Sequence, residues 1–309
     1  FVENKNIFNF QFADGADNLF YSRRIGRSPQ GSPNINENEY ADQPKNSTIL
    51  GAAKFSGKTK NGWSLGILES VTNKEFAEVD NNGERKTEIV EPLTNYFVGR
   101  AQKDFNNRNS FIGGIFTATN RNLQGEELNF LRKSAYSGGI DFQHNWKNRK
   151  YYFKGNVSGS HVEGSKESIA RTQRSLTHLF QRVDAGHVEY DANRTSLTGT
   201  GGRFEAGKLS EGHWRYTGIM MWRSPELELN DVGFLRQADE IRQFGIVTYQ
   251  TLKPFGKFRK AFTRFEQFSS YDFDGNYNRM QYTLTSNLNM KNNWNFNGQL
   301  VYKPRIYSN

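Results

Sequence analysis

Hydrophobic and polar residues alternate along most of this chain with a period of two. From Ser134, every second position reads Ser, Tyr, Gly, Ile, Phe, His, Trp; the positions between read Ala, Ser, Gly, Asp, Gln, Asn. After a basic turn at Lys147–Lys150 the pattern resumes. Tyr151, Phe153, Gly155, Val157 and Gly159 alternate with Tyr152, Lys154, Asn156, Ser158 and Ser160. Successive side chains of a strand point to opposite faces, so this stretch predicts a hairpin with one apolar and one polar face.

The same alternation predicts strands at 49–56, 63–71, 97–104, 214–223, 279–290 and 294–302, with less regular ones near 110–119, 195–207, 240–251 and 260–271. That gives about twelve strands of roughly ten residues, a length that spans a bilayer when tilted. Short turns fall at Lys58–Gly62, Asn106–Asn109, Lys147–Lys150, Lys208–Gly212, Lys253–Lys257 and Lys291–Asn293. Between them lie longer loops at about 73–94, 120–133, 164–194 and 224–239, then a shorter one at 272–278. Strict alternation of short and long connections fits a transmembrane barrel with short periplasmic turns and longer external loops. Trp63, Trp146, Trp214 and Trp294 flank short turns. A membrane interface favours such amphipathic rings, and closure of a hairpin core is the competing explanation.

The expected fold is therefore all-β: an antiparallel up-and-down transmembrane β-barrel with about 12–13 strands in this chain, part of a larger barrel. Tyr136, Ile140, Phe142, Phe153, Val157, Tyr282, Leu284 and Phe296 are expected to face lipid. Asp141, Gln143, Asn145, Lys154, Asn156, Arg215, Gln281 and Asn287 are expected to face the lumen. Arg should then be tolerated at Asp141 far better than at Ile140. The barrel strands occupy 48–309. A lead-in segment, 1–47, would supply the thirteenth strand at Asn18–Arg27 and an external loop at Ser28–Asn46. Strand 294–303 would run outward to an external end at Tyr307–Asn309, and its free edge would need a further partner.

Composition narrows the picture. The 309 residues include 25 Phe, 14 Tyr and 5 Trp, although the mean hydropathy is −0.81. No run of about 18 apolar residues could form a membrane-spanning helix. The first residue is Phe and no signal peptide is visible, so the chain is expected to begin inside a precursor or a mature form. The absence of cysteine excludes disulfides and thiolate metal sites. The net charge of +9 does not form one stripe, so nucleic acid is not an expected partner.

Several stretches resemble a known family. They are Phe1–Phe10 (FVENKNIFNF), Leu19–Gly31 (LFYSRRIGRSPQG), 49–72 (ILGAAKFSGKTKNGWSLGILESVT), 91–105 (EPLTNYFVGRAQKDF) and, most distinctive, 222–239 (WRSPELELNDVGFLRQAD). Together they resemble the barrel region of a Bacteroidota outer-membrane family with a domain of unknown function. In that family the barrel usually follows a domain similar to family-nine carbohydrate-binding modules. The resemblance implies a fold and a bacterial outer-membrane location, with the lipid bilayer as partner. Other outer-membrane proteins, and glycans bound through an N-terminal domain outside this chain, are further partners it suggests. It implies no reaction and no cofactor.

The expected function is a pore, or a membrane anchor serving a carbohydrate-binding domain, without catalysis. Alternatives are an accessory subunit of a larger outer-membrane complex and a hydrolase with its site in the external loops.

Candidate chemistry is sparse. Arg23, Arg24 and Arg27 form the one binding candidate, a lumen cluster able to pair with Asp231, Glu226 or Glu228 or to hold an anion. His178 and His187 share the 164–194 loop with Glu163, Glu167, Asp184 and Glu189, but without metal-ligand spacing. His144 and His161 lie on apolar parity, where interfacial side chains or ordinary strand ends explain them. Asp272-Phe-Asp274-Gly-Asn276 begins like a calcium loop, lacks the later ligands, and fits an ordinary turn. Gly199-Thr-Gly201-Gly202 falls on an expected strand and opens no helix, so it is no phosphate loop. Neither a nucleophile elbow nor a metal site is expected.

Overall fold

The computed structural model describes residues 5–10 and 17–306. The expected external end at Tyr307–Asn309 lies outside them. The described residues are all-β apart from one helix and two short 3-10 turns. The strands are β1 (Glu39–Asp42), β2 (Ile49–Lys58), β3 (Trp63–Thr72), β4 (Glu75–Asn81), β5 (Glu84–Glu91), β6 (Leu93–Phe105), β7 (Ser110–Asn122) and β8 (Arg132–Trp146). Then follow β9 (Tyr151–Gly164), helix α1 (Lys166–Gln173), β10 (Ser196–Lys208), β11 (Trp214–Arg223), β12 (Glu240–Thr251), β13 (Phe258–Tyr271), β14 (Tyr277–Met290) and β15 (Asn295–Ile306).

Twelve of these strands form one antiparallel sheet in the order β15-β14-β13-β12-β11-β10-β9-β8-β7-β6-β3-β2. They are the twelve that alternation predicts. The sheet is open: β15 pairs with β14 alone and β2 with β3 alone among the described residues.

Two expectations are corrected. Asn18–Arg27 is not a strand. It holds a 3-10 turn at Ser22–Arg24 and meets the chain far away through Asn18–Phe234 and Tyr21 N–Val232 O bonds of 2.8–2.9 Å. Leu19 and Phe20 are both buried, which alternation forbids. The long connections are not all loops either. Residues 73–94 fold into β4 and β5, and β1, from the supposed first external loop, completes a second sheet of order β1-β4-β5. Asn82 and Gly83 turn this hairpin with φ of 52° and 98°. A two-residue turn of this hand matches the twist of its flanking strands.

The register sorts every strand of the large sheet into two faces. One carries Ile67, Gly99, Phe116, Gly138, Ile140, Phe153, Val157, Phe204, Met220, Phe265, Leu284 and Phe296. Cross-strand pairs such as Ile140–Val157 and Phe265–Leu284 place them together. These side chains are largely exposed: Ile140 at 60%, Val157 at 46%, Phe296 at 50%. The other face carries Ser70, Thr117, Ser137, Asn156 and Ser158, all buried although polar.

What buries the polar face is the chain itself. Phe8, Phe10, Leu19 and Phe20 join Leu227, Leu229, Val232 and Leu235 in one core against Leu68, Val98, Ile115 and Met221. Two glycines make room. A Cβ on Gly139 would strike Phe10, and one on Gly199 would strike the Leu227 backbone. Thus Gly199-Thr-Gly201-Gly202 serves close packing on β10.

Candidate functional site

The long connections converge at one end of the sheet. The segment between β11 and β12 does not project away but folds back over the polar face. Glu228 N donates to Ser160 Oγ on β9 at 3.0 Å. Asp231 reaches Arg121 on β7, at 2.7 Å, and Arg132 on β8, at 2.8 Å. β11 and β7 stand four strands apart, on the order of 19 Å at sheet spacing.

A layer of buried ion pairs holds this arrangement. Arg223 Nε donates to Asp17 Oδ2 at 2.6 Å, and its Nη1 to Glu240 Oε2 at 3.0 Å. His178 lies 3.1 Å from Glu228, and His187 2.8 Å from Asp239, which also pairs with Arg182. Burial would raise the Glu228 carboxyl, but the charge of Arg132 and the His178 bond outweigh it and hold it far below the usual carboxylate range. Asp231 follows the same logic: burial opposes ionisation, and Arg132 and Arg121 more than offset it.

The arginine cluster is only partly drawn in. Arg24 Nε donates to Gly233 O and its Nη2 to Asn230 Oδ1, both at 3.0 Å, and its guanidinium lies over the Phe234 ring. Arg27 donates to Gln30 Oε1. Burial first, and the Arg121 charge second, lower its pKa. Arg23 is exposed. None of the three forms the expected pair with Asp231, Glu226 or Glu228. Those carboxylates take Arg121, Arg132, His178 and Arg194 instead, because the fold-back loop presents them to β7, β8 and the β9–β10 connection.

The histidines separate too. His178 and His187 bind Glu228 and Asp239 rather than the carboxylates of their own loop, and His161 pairs with Glu163 at 3.0 Å. Among the described residues, no group of three or more His, Asp and Glu could hold a metal. His144 Nδ1 contacts Ser110 Oγ at 2.7 Å. Asp272 Oδ1 accepts from the amides of Asp274 and Asn276, and Gly275 has φ +84°, so this stretch is a turn.

Among the described residues, two pockets open at this end. One, of about 490 Å³, lies between the β9–β10 connection and Ser224–Glu226, with His187, Glu189, Asp191 and Arg194 in its wall. The other, of about 380 Å³, lies between α1, Phe130–Arg132 and the fold-back loop. Arg121 and Arg132 were not singled out from the sequence. Only their place on β7 and β8, opposite an acidic loop a hundred residues later, gives them a role.

Comparison with curated proteins and with solved structures gives no match. The family description that matches is a domain of unknown function, DUF5916, and it covers residues 1–308. The chain therefore belongs to the DUF5916 family.

Proposed function

We propose that the twelve-stranded sheet is wall of a transmembrane β-barrel in a bacterial outer membrane, non-catalytic, with its exposed apolar face on lipid. One observation carries this reading: a continuous apolar face lies uncovered while the polar face is packed. A soluble sheet does the reverse. The apolar band also has two polar margins. Trp63, Trp146, Trp214 and Trp294 stand beside the short turns, 38–64% exposed. At the opposite end the same face turns polar, with Asn95–Glu69 and Tyr136–Asn120 hydrogen bonds. From Trp146 to Tyr136 the strand rises roughly 34 Å, or about 24 Å when tilted by 45°, close to the apolar height of such barrels.

Barrel closure would require the β2 and β15 edges to pair with further strands, since unpaired backbone groups in hydrocarbon cost several kcal/mol each. Bound core over the polar face of β3–β12 favours a membrane anchor or scaffold, within a larger outer-membrane complex or beside a glycan-binding domain, over a wide pore. Reconstitution tests both parts. Brominated lipids should quench the tryptophans, and planar bilayers should show little or no steady conductance. Absence of quenching would end the lipid reading; large stable conductance would favour a pore.

A further inference from the structure

The excess charge of the chain sits at its six short turns. From Lys58–Gly62 to Lys291–Asn293, these turns hold ten Lys or Arg and one carboxylate, Glu211, so their net charge of +9 equals that of the entire sequence. The residues are scattered along the chain. Neighbouring strands of the large sheet are antiparallel throughout, however, which brings all six turns to one margin. The opposite margin does not share the excess. There, 73–94 holds six carboxylates against three cations, and 224–239 holds Glu226, Glu228, Asp231 and Asp239 against Arg236.

The protein itself neutralises little of the basic margin. Asp104 takes Lys58 at 2.7 Å, and Glu211 takes Lys150 at 2.8 Å. Lys60, Arg108, Lys147, Lys253, Lys257 and Lys291 are exposed and have no carboxylate partner among the described residues. Like charges crowded on one margin repel one another, and an anionic surface relieves that repulsion. The neighbours of the cations say which kind of surface. Lys103 Nζ lies 5.4 Å from the centre of the Trp63 ring. Lys147 Nζ and Lys150 Nζ lie 5.8 and 5.7 Å from that of Tyr151, which stacks on Trp146. These cations are held against aromatic rings at the edge of the apolar band. An acidic soluble protein would use the charge alone, whereas a lipid uses charge, ring and apolar band together.

We propose that the short-turn margin is a docking surface for anionic phospholipids, whose headgroup phosphates meet the turn cations while their chains lie on the apolar band. The proposal rests on the lipid reading of that band and adds the class of lipid. Phospholipid rather than lipopolysaccharide follows from the length of the turns, since the short turns of such barrels face the periplasm.

Selective quenching tests this. The full chain is reconstituted in phosphatidylcholine with about one part in four of phosphatidylglycerol, and one lipid or the other is brominated. Brominated phosphatidylglycerol should quench the tryptophans about twofold more than its mole fraction requires. Salt at about 1 M, with a screening length of about 3 Å, should erase the excess. Lys60→Gln, Arg108→Gln and Lys147→Gln together should erase most of it. Lys45→Gln, Lys133→Gln and Lys166→Gln remove as much charge at the opposite margin and should leave it. All six side chains are exposed, so both triple variants should fold, which strand circular dichroism verifies. In intact cells, Asn148→Cys should react with an impermeant maleimide only after the outer membrane is opened. Reaction without opening would set the margin among lipopolysaccharide phosphates and overturn the assigned lipid. Equal loss of preference in both triple variants would reduce the effect to net charge and sink the proposal. Quenching in proportion to mole fraction would overturn it while the lipid reading stands, and poly-glutamate binding in that case would assign the margin to an acidic protein. Quenching by neither lipid would end both readings.

Discussion

Arg121 on β7 and Asp231 in the β11–β12 connection lie 110 residues apart in sequence and 2.7 Å apart in space, both buried. Asp231 also pairs with Arg132, so its removal leaves Arg121 without a carboxylate partner and Arg132 with Glu228 alone, 3.8 Å away. Asp231→Ala should cost about 3–5 kcal/mol, the penalty for orphaning a buried charge. Chemical denaturation of the detergent-solubilised chain would measure it. Glu226→Ala, which breaks a half-exposed pair with Arg194, should cost about 1 kcal/mol or less.

Acid should act on the same loop late. Glu228 and Asp231 both have folded-state pKa values below those of an unfolded chain. Their contribution is thus fully present above the unfolded pKa, about 4, and is lost as pH falls through the lowered folded values. Hydrogen exchange over 227–235, corrected for its intrinsic pH dependence, should be flat from pH 7 to 5. Loss of protection should begin only below about 4. Opening near pH 6 would contradict the assignment.

The two faces of β14 should differ in their tolerance of charge. Leu284 is 41% exposed on the apolar face, and Thr285 lies on the other. In lipid vesicles, Leu284→Arg should destabilise by about 2–4 kcal/mol and Thr285→Arg by about 1 kcal/mol or less. Ile140→Arg should behave like Leu284→Arg. Asp141 is not the tolerant control that parity suggests. It accepts both Nη groups of Arg100 at 2.7 Å, and Arg100 is 4% exposed. Equal penalties at 284 and 285 would remove the case for lipid contact.

Gly199→Ala should loosen the fold-back loop. The new Cβ meets Leu227 backbone, which no side-chain rotation can relieve. Overpacking of this kind costs about 1–3 kcal/mol. Protease cleavage within 225–235 should accelerate, while β9–β10 pairing keeps its protection.

Twelve strands were legible because aromatic and glycine residues keep strict parity over ten or more positions, as in Trp214, Tyr216, Gly218, Met220 and Trp222. The β4–β5 hairpin carries its own signal in Asn82-Gly83, but it sits inside a connection whose length alone reads as an external loop. Asn18–Arg27 is expected as a strand only because the count of strand directions requires one more crossing, which says nothing of local contacts. Its true partners, Val232 and Phe234, lie about two hundred residues away. The ion pairs were hidden for the same reason. Arg23, Arg24 and Arg27 attract notice by adjacency, whereas Arg121 and Arg132 are ordinary strand residues until the fold-back loop reaches them.

The filling of the polar face is lopsided. Phe8, Phe10 and the fold-back loop brace the strands from β3 to β12, while on β15 Asn295, Asn297 and Gln299 remain exposed. Mechanically, the sheet is a plate stiffened over most of its width with a compliant flap at one margin. Lateral pressure or a pull on the β15 edge would bend that flap first. The braced region would move as one body, carrying the ion pairs and both pockets with it undistorted.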